Sequence, residues 1–251
     1  MATSAVNWMP TSRMNWRTDR GVTSVADLDR ELKYLLPEGR AAFAERWLAA
    51  LCRADSRHPA SDVWTVYYDT PAQVSLREKV NSDYLKAKVR VRWYAPAGGS
   101  AAGDAFVEMK RRIGDRRDKV RLVLPSAAPD LTRRDLDDPI WGHLLQTLLA
   151  EGVRPGPAWR PVLTLVYRRT RFVDVASGAR VNCDSGIRAT AMARPPGATL
   201  RRAPLPVGVI EVKGPALELP RNLRAITRFG GRLASFSKYV AVWEHARLRP
   251  A

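Results

Sequence analysis

Lys86-Ala87-Lys88-Val89-Arg90-Val91-Arg92-Trp93-Tyr94 is the stretch on which the reading of this chain turns. Successive side chains of a β-strand point to opposite faces. Lys86, Lys88, Arg90 and Arg92 therefore share one face, and Val89, Val91 and Trp93 share the other. Like charges stacked on one face repel by roughly 1 kcal/mol per close pair in water, and by more where solvent is excluded. A fold carries that load when an anion regularly fills the space in front of it. Arginine offers planar forks to phosphate oxygens, and lysine offers a point charge. Taken alone, the strand also reads as a solvated edge kept from aggregating by its lysines.

Other segments repeat the pattern. Glu31/Lys33, Glu108/Lys110 and Glu211/Lys213 each place a carboxylate and an ammonium one residue apart, and Lys119/Arg121 adds two more cations. The opposite faces are apolar, with Val107 and Met109, then Val120, Leu122 and Leu124, then Ile210 and Val212. Solvated hydrophilic faces would explain one such segment. Recurrence favours strands that share one charged face, which a closed sheet turns inward. A glutamate beside a lysine suits a metal–phosphate site, because Mg²⁺ or Mn²⁺ takes one or two carboxylates and completes its shell with phosphate oxygens and water. Glu211, Glu31 and Glu108 are the candidate metal ligands. Lys88, Lys119, Arg121 and Lys213 are candidate phosphate-binding cations.

Eight strands are expected: Asp27–Leu36, Val63–Tyr68, Tyr84–Tyr94, Phe106–Ile113, Lys119–Leu124, Val162–Val173, Arg180–Asp184 and Val207–Lys213. Helices are expected over Glu38–Arg53, with Phe43, Trp47, Leu48 and Leu51 on one face, and from Asp138 to Glu151. Further helical stretches start at Asn222 and at Arg232, the last running to His245. Residues 1–24 read as a polar tail, in which Trp8 and Trp16 could dock on the domain, and 25–248 as one tunnel domain. The fold class is α+β, an antiparallel eight-stranded barrel with flanking helices.

Composition sets bounds on partner and compartment. The 251 residues carry 42 Lys+Arg against 25 Asp+Glu, a net charge of +17 that favours polyanions. Cys52 and Cys183 form no CxxC, and His58, His143 and His245 are scattered singly, so neither a disulfide framework nor a zinc site is indicated. No apolar run reaches the roughly 18 residues of a spanning helix, and the N-terminus lacks a signal-peptide core. A cytoplasmic protein without a transmembrane segment is expected. Nucleic acid is not the expected partner, because the tryptophans and tyrosines sit mostly at apolar positions and no nucleic-acid motif is present. No Walker A motif is present either.

The ordered motifs resemble the VTC domain, the polyphosphate polymerase branch of the triphosphate tunnel metalloenzymes. They run from Glu31-Leu-Lys33-Tyr34 through Val66-Tyr-Tyr-Asp69-Thr70, Glu78-Lys79, Lys88-Val-Arg90-Val-Arg92 and Val107-Glu-Met-Lys110 to Lys119-Val-Arg121. They continue with Tyr167-Arg-Arg169-Thr-Arg-Phe172, Arg180-Val-Asn-Cys-Asp184, Val209-Ile-Glu211-Val-Lys213 and Phe236-Ser-Lys238-Tyr239, covering residues 27 to 243. The resemblance implies a tunnel that binds ATP and growing inorganic polyphosphate. Lys33, Arg90, Arg92, Lys110, Arg169, Arg180 and Lys238 would be its catalytic cations, and Glu211 its metal ligand with Mn²⁺ or Mg²⁺. This chain has Asp29-x-Glu31-x-Lys33 where the superfamily prefers Glu-x-Glu-x-Lys, and Ser235 where eukaryotic polymerases have a lysine.

The proposed lining counts eleven cations (the eleven named above) against Glu31, Glu108, Asp184 and Glu211. That excess overcompensates one metal-bound triphosphate and suits a longer anion. The expected activity is transfer of the γ-phosphoryl of ATP to a polyphosphate chain end. A triphosphate hydrolase of the same fold and a non-catalytic polyanion-binding module are the alternatives.

Overall fold

The computed structural model describes residues 18–23, 30–114, 116–150, 152, 158–193, 199–214 and 218–247. Trp8, Trp16 and Asp27–Asp29 lie outside the described residues. The eight expected strands are all present, with shifted ends: β2 (Arg30–Pro37), β4 (Ala60–Asp69), β5 (Leu85–Ala95), β6 (Ala105–Ile113), β7 (Arg116–Leu124), β8 (Arg160–Asp174), β9 (Arg180–Met192) and β10 (Val207–Gly214). Three short strands were not expected. They are β1 (Thr18–Thr23), β3 (Cys52–Ala54) and β11 (Arg232–Leu233).

The strands form one antiparallel sheet in the order β1-β7-β6-β5-β4-β8-β9-β10-β2-β11, with β3 on β8. This corrects the eight-stranded barrel. Eleven strands are present among the described residues, and the sheet ends at β1 and β11, which do not pair with each other. Within the stretch read as a polar tail, Thr18–Thr23 runs antiparallel to Arg117–Leu122 of β7. The outer edge of β7 would otherwise present unpaired backbone groups.

The sheet is strongly curled. Lys33 Nζ on β2 donates to Phe236 O at 3.3 Å, and Lys88 Nζ on β5 donates to the neighbouring Ser237 Oγ at 3.2 Å. Five strand steps separate β2 from β5, roughly 24 Å if the sheet were flat. The two lysines reach adjacent residues only because the sheet bends round them. Register irregularities sit along the bend, at Tyr67/Tyr68 between β4 and β8 and at Thr164/Leu165 and Val166/Arg168 between β8 and β9. Such bulges increase local twist and turn a strand.

Three apolar clusters follow from the strand alternation. On the outer face Val89, Val91, Trp93, Val107, Met109, Val120, Leu122 and Leu124 pack under α3 (Ala128–Leu131) and α4 (Ile140–Ala150), through Trp141, Leu144 and Leu148. Further round the same face, Tyr34, Leu36, Val181, Cys183, Ile210 and Val212 pack under α1 (Glu38–Leu51) and a 3-10 helix over Arg221–Phe229. Gly208 lets α1 sit this close, since a Cβ there would meet Ala41 Cβ at 2.8 Å. The third cluster lies on the inner face, where Val63, Tyr67, Leu163, Leu165, Tyr167 and Val209 pack against Tyr239, Val242 and Trp243 of α5 (Lys238–Arg247). α5 thus fills one end of the concavity.

Helical details differ from expectation. α1 ends at Leu51, before β3, and buries Ala41, Ala44 and Leu48. Phe43 and Leu51 are exposed, while Phe43 and Trp47 meet Phe229 edge-on at 5.0 and 5.1 Å. Arg232–Leu233 pairs with β2 instead of opening a helix. α2 (Val74–Val80), also unexpected, is anchored by buried Asp69, whose carboxylate accepts hydrogen bonds from the N–H groups of Ser75 and Leu76. No helix among the described residues is long and apolar enough to cross a membrane.

Candidate active site

Strand register assembles the charged residues in rows across the inner face. Lys88, Lys110 and Lys119 stand side by side on β5, β6 and β7, as do Arg90, Glu108 and Arg121. On the other flank Glu31, Lys213 and Arg180 form one row, and Lys33, Glu211 and Asn182 the next. The outward neighbours of these residues are the buried apolar side chains of the two outer clusters. Parity places all the named strand residues on one face.

Two ion clusters organise that face. In the first, Glu108 is 1 % exposed and is gripped on both sides. Arg90 donates from Nε and Nη2 to its Oε2, both at 2.6 Å, and Arg121 donates to its Oε1 from Nε at 2.8 Å and Nη2 at 2.7 Å. Burial alone would raise the Glu108 carboxyl. Arg90, Arg92 and Arg121 reverse that and hold it far below the usual carboxylate range. Arg92 is itself buried, its Nε on Thr65 Oγ1 at 3.2 Å.

The second cluster joins β8, β9, β10 and α5. Arg169 donates to Asp184 from Nε and Nη2 at 2.6 and 2.7 Å, and to Glu211 from Nη2 at 3.0 Å. Lys238 Nζ lies 2.6 Å from Asp184 Oδ2 and 3.2 Å from Glu211 Oε1. Two cations and two carboxylates are thereby buried as a near-neutral quartet. Tyr167 lies beneath both cations, its ring centre 5.4 Å from the Arg169 guanidinium carbon and 4.9 Å from Lys238 Nζ. Burial would raise the Glu211 carboxyl, but Lys238 and then Arg169 hold it well below its ordinary value. The same burial would lower Lys238, and Asp184 and Glu211 raise it instead.

Lys110 and Lys88 are shifted in the opposite direction. Repulsion from Arg90, then burial, lowers the Lys110 ammonium to about 7, although its side chain still reaches solvent. Burial first, with repulsion from Lys33, Lys79 and Arg90, brings Lys88 to about 8. Two ammonium groups are therefore poised to lose their protons near neutrality when no anion faces them.

Among the expected site residues, Arg90, Arg121 and Glu108 meet directly, and Arg169, Lys238 and Glu211 meet directly. Lys33 pairs with Glu31 at 3.3 Å, and Lys213 stands 4.0 Å from Glu211. Arg180 is exposed at the end of its row. The three expected metal ligands do not converge, and no group of three or more acidic, His or Cys side chains suited to a metal occurs among the described residues. Glu31 fits a divalent ion completed by substrate oxygens, whereas Glu211, with Oε1 on Lys238 and Oε2 on Arg169, would join it only by giving up one of those partners. The two glutamates are diagonal neighbours on β2 and β10, opposite Lys213 and Lys33 respectively, and Glu31 is exposed. Glu108 does not fit, since both its oxygens are occupied by guanidinium groups.

Sequence reasoning gave no separate role to Tyr167, Thr65, Ser237 or Asp69. Tyr239 Oη donates to Asp69 Oδ2 at 2.7 Å, which locks α5 onto β4 beside the site. Asp69 stands in the sequence only as part of the Val66–Thr70 motif, because the partner that ties it to the site, Tyr239, lies 170 residues along the chain.

A curled antiparallel sheet with an inward cationic face, its carboxylates tied to guanidinium and ammonium groups, defines a cationic trough with one end filled by a helix. The chain belongs to the VTC domain family, whose model matches residues 28–245. Among solved structures it is similar to a proposed adenylyl cyclase from Hippeastrum described as having a dominant triphosphatase activity. That match has 16 % identity and a TM-score of 0.45, over 88 % of this chain and 97 % of the other. It is also similar to a proposed adenylate cyclase from Vibrio parahaemolyticus, with 13 % identity and a TM-score of 0.38, over 89 % and 94 % of the two chains. No curated protein matches the sequence.

Proposed function

We propose that the protein is a cytoplasmic, metal-dependent polyphosphate polymerase that transfers the γ-phosphoryl of ATP to the end of an inorganic polyphosphate chain. The observation that carries this reading is the surplus of cations on the inner face. Glu108, Asp184 and Glu211 are consumed in holding arginine and lysine side chains in place. Lys33, Lys88, Lys110, Lys119, Arg180 and Lys213 extend the positive field beyond them. A trough for one triphosphate needs less charge than one that holds donor and acceptor end to end, where cations lower their mutual repulsion.

Phosphoryl transfer demands in-line positioning and charge neutralisation more than covalent chemistry. Arg90 and Arg121 each spend Nε and Nη2 on Glu108, which fixes the planes of both forks on the inner face. Arg169 is fixed the same way by Asp184. Arg92, anchored on Thr65, and Lys110, opposite Lys88 and Lys119, would bind the transferred group from neighbouring strands. Lys33 and Lys238, from β2 and α5, would hold the chain on the far wall. The acceptor oxygen is already ionised, so no general base is required. Mg²⁺ or Mn²⁺ held by Glu31, with Glu211 joining once it gives up Lys238 or Arg169, would supply further neutralisation of the phosphate charge.

Incubation of pure protein with ATP and Mn²⁺, followed by product sizing on a gel, tests the proposal. ADP should appear together with chains longer than triphosphate. ADP with orthophosphate alone would assign a hydrolase. Tight polyphosphate binding without turnover under any divalent ion would assign a binding module.

A further inference from the structure

Four of the large exposed apolar side chains gather at one tip of the sheet: Val80 (56 %), Tyr84 (72 %), Leu85 (53 %) and Ile113 (47 %). Leu85 and Ile113 are register partners on β5 and β6. The Tyr84 carbonyl accepts the Gly114 N–H at 2.9 Å, and a Cβ at Gly114 would lie 2.6 Å from the Tyr84 ring. Val80 ends α2, four residues before Tyr84 and directly before the turn that leads to it. Leu85 and Ile113 continue the outer apolar stripe of Val89 and Met109 past the helices that cover it. On the inner parity of the same strands stand Lys86 and Arg112, also register partners. Arg77 and Arg111 are exposed nearby, and Lys79 Nζ donates to Ser235 Oγ at 2.7 Å. Among the described residues the local carboxylates are fewer and partly engaged, Asp118 with Arg111 and Glu78 with the Ala87 N–H, leaving Asp83 exposed.

We infer that this tip docks on an anionic phospholipid surface, with Val80, Tyr84, Leu85 and Ile113 entering the headgroup–acyl boundary and the surrounding lysines and arginines meeting lipid phosphates. Nucleic acid and polyphosphate have no use for four exposed apolar side chains. A second copy would bring like charges together around the contact. The exposed apolar area, a few hundred Å², falls short of what a stable protein interface buries on each side. An interfacial anchor needs only a small apolar wedge reinforced by basic residues whose stems lie along it.

The test is sedimentation of the full-length protein with vesicles of phosphatidylcholine alone or with roughly 30 % phosphatidylserine. The wild type should partition onto the anionic vesicles at least about tenfold more strongly, and lose that preference in high salt. Tyr84→Ser/Leu85→Ser/Ile113→Ser should weaken anionic-vesicle binding about tenfold while tripolyphosphate affinity, measured by calorimetry, stays within about twofold. Equal partitioning of wild type and variant, or no partitioning of either, would overturn the inference. Concentration-dependent dimers in sedimentation velocity without vesicles, abolished by the triple change, would overturn it in favour of self-association.

Discussion

Glu108→Gln tests whether the site is held ready by its own counter-ions. In the native protein the carboxylate is 1 % exposed and accepts from two arginines at 2.6 to 2.8 Å. The amide keeps the shape, removes the charge, and turns an NH₂ toward one of the two guanidinium groups. Removing one partner of a buried ion pair typically costs about 3–5 kcal/mol, because the other charge stays buried. Arg121 is 29 % and Arg90 16 % exposed at the side chain, so water recovers part of the loss. The lower end, about 3 kcal/mol, is expected. For a chain of this size that lowers Tm by roughly 6–12 °C. An anion can replace the missing charge, so millimolar tripolyphosphate should raise the Tm of the variant more than that of the wild type. Differential scanning fluorimetry with and without tripolyphosphate measures both. An unchanged Tm, or equal anion responses, would refute the view of Glu108 as a buried counter-ion.

Other expectations follow from the same geometry. Arg90→Ala should weaken tripolyphosphate binding by roughly 1.5–3 kcal/mol for a lost charge-assisted contact, whereas Glu211→Gln should abolish metal-dependent turnover and largely spare metal-free affinity; calorimetry without metal would show equal losses if these roles are wrong. Lys110, lowered to about 7, and Lys88, lowered to about 8, are partly neutral in the empty trough at pH 8, and bound phosphate draws both back toward the charged form. Binding at pH 8 should therefore take up protons and weaken as pH rises, seen as a binding enthalpy that depends on the ionisation heat of the buffer. For the unliganded protein the sign is opposite: the unfolded chain holds these protons up to the ordinary lysine range, so stability on their account increases with pH above about 7. Gly208→Ala should destabilise by about 1–3 kcal/mol through overpacking against Ala41, read from urea unfolding.

The alternation of Lys88, Arg90 and Arg92 with Val89, Val91 and Trp93 was enough to define the strand and both its faces, because a two-residue period has only two solutions. The same logic located all eight long strands and placed the charged pairs on one side. Local sequence did not determine what those charges meet. Arg169, Asp184, Glu211 and Lys238 come from four elements, and their quartet exists only once β8, β9 and β10 pair and α5 folds into the concavity. Glu108 read as a metal ligand because nothing in its own strand shows Arg121 arriving on the next. β1, β3 and β11 are too short to carry a period and form because longer strands leave an edge to pair. Periodicity and local charge belong to the sequence, since they depend on near neighbours. Curl, register and the pairing of each buried charge belong to the tertiary structure, since they bring together residues as far apart as Lys33 and Phe236.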